Sequence, residues 1–134
     1  MVWNRRRGPI LLAVLWIASF HLTGCSKSPG VANDVAFACD SDPKPARVGH
    51  NTFTVTLTSR NGEQIGGARI SLEGDMSHPG MSPVFGEAKE IAAGRYQGTL
   101  DLNMLGDWTI LFHITLASGR TFDREVKIRN LQAT

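Results

Sequence analysis

From Thr52 to Thr58 every second residue is apolar, with Phe53, Val55 and Leu57 alternating with threonine. A period of two sends alternate side chains to opposite faces of an extended chain, so this stretch predicts a strand with one buried and one wet face. The same alternation recurs. Val35, Phe37 and Cys39 share a face in a first strand, and Ala68, Ile70 and Leu72 in a third. Tyr96, Leu100 and Leu102 mark a fifth, Trp108, Ile110, Phe112, Ile114 and Leu116 a sixth, and Phe122, Val126 and Ile128 a seventh. Residues 86 to 91 give a weaker fourth strand. Asn61-Gly62, Gly66-Gly67, the Pro/Gly segment around residue 80, Gly94, Gly106 and Ser118-Gly119 punctuate these runs. Glycine at such points supplies the positive φ that tight turns require. Seven short strands at this spacing predict an all-β domain over residues 35–134, a single seven-stranded antiparallel immunoglobulin-like β-sandwich. Trp108 and Tyr96 are expected to anchor its core, and Cys39, in phase with Val35 and Phe37, to behave as a small buried hydrophobe.

The chain before residue 35 has a different character. Arg5, Arg6 and Arg7 precede an apolar run from Pro9 to Phe20, too short for a comfortable permanent membrane helix and suited to a secretory signal. The run meets Leu22-Thr23-Gly24-Cys25, which resembles the lipobox of bacterial lipoproteins. That resemblance implies a signal peptide over residues 1–24, removed before a lipidated Cys25, and a small-residue tether over residues 25–34 that joins the membrane to the fold. An uncleaved amino-terminal anchor or an ordinary secreted protein is the alternative; each places the domain outside the cytoplasm. Ser26 after the cysteine, in place of aspartate, favours the periplasmic side of an outer membrane.

Loss of residues 1–24 removes three of the 14 basic residues and none of the 12 acidic ones, moving the side-chain balance from +2 to −1. No basic patch interleaved with aromatics remains, so nucleic acid is not an expected partner. With Cys25 carrying lipid, Cys39 has no partner within the chain for a disulfide.

Gly94-Arg95-Tyr96, Gly106-Asp107-Trp108 and the intervening Leu102-Asn103-Met104-Leu105 follow the segment Met76-Ser77-His78-Pro79-Gly80-Met81. In this order, over roughly residues 35 to 129, the chain resembles the YtkA-like domain family, related to FixH-like proteins. The resemblance implies a small extracytoplasmic β-sandwich, often lipid-anchored or fused to metal-efflux components, and associated with copper handling or with assembly of copper-containing respiratory oxidases. Carried over residue by residue, it implies metal ligands at Met76, His78, Met81 and Met104.

The chemistry of the segment is consistent with that set. A thioether is a soft, neutral donor suited to Cu(I), and imidazole accepts Cu(I), Cu(II) or zinc. Of the four methionines, Met1 belongs to the leader and two of the other three flank His78. The competing reading is that Met76 and Met81 turn inward to seal one end of the sandwich while His78 faces solvent, since methionine fills irregular gaps well. His113 alternates with the core set of its strand and is expected to face water; His50 stands at a turn, and Asp75 reads as an ordinary turn aspartate. No nucleophile with a base, carboxylate pair, phosphate-cradling loop or zinc-hydrolase spacing is recognisable, so an enzyme is not expected. Two functional classes remain: a Cu(I) chaperone or accessory serving an oxidase-assembly or efflux partner in the envelope, and a module without metal that docks another envelope protein, for which the outward strip Thr109, Leu111, His113 and Thr115 offers a surface.

Overall fold

The computed structural model describes residues 33–133. The expected signal peptide, Cys25 and the tether up to residue 32 lie outside the described residues. Seven strands follow: β1 (Val35–Asp42), β2 (Gly49–Ser59), β3 (Arg69–Met76), β4 (Val84–Ala92), β5 (Arg95–Leu102), β6 (Gly106–Thr115) and β7 (Thr121–Leu131). Every neighbouring pair is antiparallel, and the order across the sheet is β1-β2-β5-β4-β3-β6-β7.

The expected alternation holds in the strands that carry large apolar residues. Phe53, Val55 and Leu57 in β2, Tyr96, Leu100 and Leu102 in β5, and Trp108, Ile110, Phe112 and Ile114 in β6 are all buried, with the intervening residues turned out. Two separate sheets were expected and one is found. The difference arises at β3 and β4, which are hydrogen-bonded from Ile70↔Ala88 to Gly74↔Val84 and so join the two halves into a continuous sheet. The sheet rolls over on itself into a nearly barrel-shaped body. The Phe37 ring of β1 stands 5.3 Å from that of Phe112 on β6, and the Phe53 ring of β2 stands 6.1 Å from it. Burial of these faces is the main source of stability, each large apolar side chain contributing about 1.5–3 kcal/mol.

β4 is the strand the alternation describes least well. Its inward positions are Val84, Gly86 and Ala88, whereas Phe85 points outward and is 72% exposed. Close approach requires glycine at position 86: a Cβ there would lie 2.6 Å from the Thr99 carbonyl oxygen of β5.

Polar groups at the strand ends are satisfied locally. The fully buried Tyr96 ring places its hydroxyl where it donates to the Ile65 carbonyl (2.8 Å) and accepts from the Ala68 amide (3.0 Å), which fixes the β2–β3 connection. Asn51 is the one buried polar residue of the described core. Its Nδ2 donates to the carbonyls of Arg47 and Gly49 (2.6 and 2.8 Å), and its Oδ1 accepts from the Arg47 amide (3.0 Å), so it clasps the β1–β2 connection.

The registers place the two ends of the domain. Asp42 opposite Thr52, Gly49 opposite Leu102, Gly74 opposite Val84, Met76 opposite Trp108 and Gly106 opposite Leu131 gather at one pole. That pole carries the β1–β2, β3–β4 and β5–β6 connections and the end of β7. Val35, where the chain enters β1, pairs with Ser59 at the opposite pole.

Candidate functional site

Met76 closes β3 in the same phase as Ile70 and Leu72, so its side chain continues the inward row and is only 7% exposed. Two residues later His78 stands exposed on the β3–β4 loop. Both side chains approach Gly106, the first residue of β6. A Cβ built on Gly106 would lie 3.3 Å from Met76 Cε and 3.7 Å from His78 Cε1. Gly106 has φ +122°, a backbone conformation that residues with a side chain rarely adopt. The glycine therefore does two things: it makes the turn into β6 and leaves room for a thioether and an imidazole at one spot.

The neighbouring turn is held in place by the core. Trp108 Nε1 donates to the Met104 carbonyl at 3.0 Å, so the buried indole fixes the backbone of the β5–β6 connection. Met104 is 43% exposed and Leu105 59%. Across the turn, the Ser77 amide reaches the Asp107 carbonyl at 3.5 Å, a long contact that lays the two loops side by side. Met81, at the far end of the β3–β4 loop, is half-buried and packs against the core.

Of the four residues implied as ligands, Met76 and His78 each reach toward Gly106. Met104 lies two residues away on the adjoining turn, and Met81 rests on the core. Asp75 is exposed opposite Thr109, and no hydrogen bond joins it to His78 among the described residues. Among the described residues no group of three or more His, Cys, Asp and Glu side chains is placed to hold a metal ion.

Two side chains elsewhere complete the chemical picture. Cys39 is half-buried on β1, and burial, reinforced by the neighbouring Asp40 charge, pushes its thiol up to about 11. At neutral pH it is a protonated, poorly nucleophilic packing residue. His113 does face outward on β6, but it is not simply solvated. Nδ1 lies 2.9 Å from Asp123 Oδ1 on β7 and Nε2 lies 3.0 Å from Glu73 Oε2 on β3. The bond with Asp123, then that with Glu73, raises the imidazole above its ordinary value. Sequence shows that His113 faces outward; only the pairing of three strands shows that it bridges two carboxylates.

Among the described residues no helix is long and apolar enough to cross a membrane. No curated protein matches the chain. Among solved structures, the chain is similar to a ZirS C-terminal domain, with 15% identity and a TM-score of 0.49 over 100% of this chain and 88% of that one. The profile of the YtkA-like family matches residues 31–113, from just before β1 to His113 in β6. With more than half of its length so matched, the chain belongs to the YtkA-like family.

Proposed function

We propose that this protein is an extracytoplasmic lipoprotein of the bacterial envelope, held to the periplasmic side of the outer membrane by lipid on Cys25. In this reading it is a binding protein, not an enzyme. It holds one Cu(I) with Met76 and His78 as the first donors and Met81 and Met104 as further donors, and it serves an oxidase-assembly or metal-efflux partner. The single observation that carries the reading is the convergence of Met76 and His78 beside Gly106. The donor chemistry fits: two to three neutral thioethers and one imidazole favour a soft monovalent ion over zinc, which prefers thiolate, imidazole and carboxylate. The polarity of the fold supports it too. The chain enters β1 at the pole opposite the Met/His loop, so a tether on Cys25 would leave the loop at the end remote from its attachment.

We also read the halves β1-β2-β5-β4 and β3-β6-β7 as those of an immunoglobulin-like sandwich, because their order is that of a constant-type domain. The β3–β4 pairing would then be a join between its two sheets.

One observation favours a second reading. Met76 is counted with the core by its burial, and Met81 packs on that core. Both thioethers would then serve as plugs, and the domain would be an envelope interaction module without metal. A Cu(I) competition titration of the parent and of loop variants separates the two.

A further inference from the structure

The rolled sheet does not close. β1 and β7 are its outermost strands, and no strand pairing joins them among the described residues. Neighbouring strands sit about 4.8 Å apart, whereas β1 and β7 stay more than 8 Å apart at all but isolated positions. The gap is pinned at both ends. Near the start of the two strands, Arg124 Nη2 donates to the Val35 carbonyl at 3.3 Å, and Arg120 pairs with Asp34 at 2.9 Å. At the other end the Val48 amide donates to the Gln132 carbonyl at 3.0 Å.

Between the pins, the inward-facing side chains are incompletely covered. Val35, Phe122 and Leu131, close to the ties, are buried; Phe37, Cys39, Val126 and Ile128, between them, are only half-buried. The backbone along both facing edges carries donors and acceptors without strand partners, the usual template for an added strand. At the end of the seam nearer the Met/His pole lies a cavity of about 430 Å3, bounded by Pro45, Ala46, Arg47, Ile128 and Arg129 and reaching Ala133. It has two arginines in its wall and no acidic residue. Arg129 touches Asp107 only at 3.5 Å, and the Arg47 guanidinium makes no ion pair among the described residues.

We propose that the β1–β7 seam is a receptor for an extended, carboxylate-bearing peptide segment of a partner protein. The segment pairs through its main chain with the β7 edge, turns alternate apolar side chains onto Val126, Ile128 and Phe37, and places its carboxylate between Arg47 and Arg129. The unpaired edges specify an extended chain, the half-covered apolar row specifies alternation, and the two arginines specify the negative end. This site is separate from the Met/His loop, and its occupancy does not require metal.

The test uses the full chain in detergent and a fluorescent octapeptide of alternating valine and threonine, with either a free or an amidated carboxyl terminus. Binding is followed by anisotropy, and the site is located by hydrogen exchange. The free-acid peptide is expected to bind and to slow exchange at β7 amides. The amidated twin, and the free acid against Arg47→Ala/Arg129→Ala, should bind about tenfold or more weakly, the scale of one charge-assisted pair. Both arginines are exposed, so the double variant should unfold at the parent temperature; the amidated peptide makes the same comparison on unaltered protein. Equal affinity for the two peptides, absence of binding, or protection of the seam without peptide in a dimer of this chain would each overturn the proposal.

Discussion

The indole nitrogen of Trp108 donates to the carbonyl of Met104 at 3.0 Å, so the residue that anchors the core also sets the turn that bears an implied metal ligand. Stability and site geometry are coupled at this contact. Trp108→Ala should cost about 3–5 kcal/mol, because lost burial adds to a cavity, whereas Thr109→Ala, on the outward phase, should do little. Trp108→Phe should retain most of the packing but release the Met104 backbone. Denaturant titration of the three variants checks the order; equal midpoints would contradict the placement of Trp108.

Tyr96→Phe isolates a second anchor. The ring stays buried, but the Ile65 carbonyl and Ala68 amide lose their shared partner. A loss of about 1–3 kcal/mol is expected on urea unfolding, the cost of stranding such groups. An unchanged midpoint would mean that water replaces the hydroxyl.

His113 gives the fold a pH dependence with a definite sign. Its folded value is raised above 6.5 by Asp123 first and Glu73 second, so the folded state binds the proton more tightly than the unfolded chain. The stabilisation is complete below the unfolded value of about 6.5 and is lost as pH rises through the folded value. The side chain is 40% exposed, which keeps the effect modest. Thermal unfolding between about pH 5.5 and 8.5 should show parent and His113→Gln converging as pH rises. Superimposable profiles across that window would contradict the bridge.

Gly106→Ala tests the meeting point of the loops. The substitution forces a side chain into φ +122° and sets a methyl 3.3 Å from Met76 Cε. It should destabilise the fold by about 1–3 kcal/mol through backbone strain and displace Met76 from His78. Gly119→Ala, also at positive φ but with open space around it, is the control for strain alone. Cu(I) affinity should fall in the first and hold in the second.

How much of this was legible in the sequence depends on the range over which each feature is encoded. β2 is written in its own residues, because Phe53, Val55 and Leu57 repeat with the pleat. β4 is not, because the chain needs Gly86 inward for close approach to β5, and Phe85 faces out against the usual pattern. The joining of β3 to β4 depends on register between strands, which no local pattern carries. Asn51 carries a local signal of its own: it sits in phase with Phe53 and Val55, where a polar residue must find buried partners. The Met/His cluster was visible as composition, but the approach of Met76 and His78 to Gly106 brings together residues about thirty positions apart, and the packing of Met81 against the core depends on contacts no local pattern carries.

The most direct measurement is Cu(I) uptake by the purified protein under reducing conditions, in competition with a chromogenic chelator. The parent should take up one equivalent, and zinc should compete poorly. Met76→Leu/Met81→Leu, which roughly conserves volume, and His78→Ala, at an exposed position, should each lose high-affinity binding while the β-sheet circular dichroism stays intact. A folded parent that takes up no Cu(I), or variants that bind it as tightly as the parent, would contradict the account and leave two methionines sealing the end of a β-sheet domain.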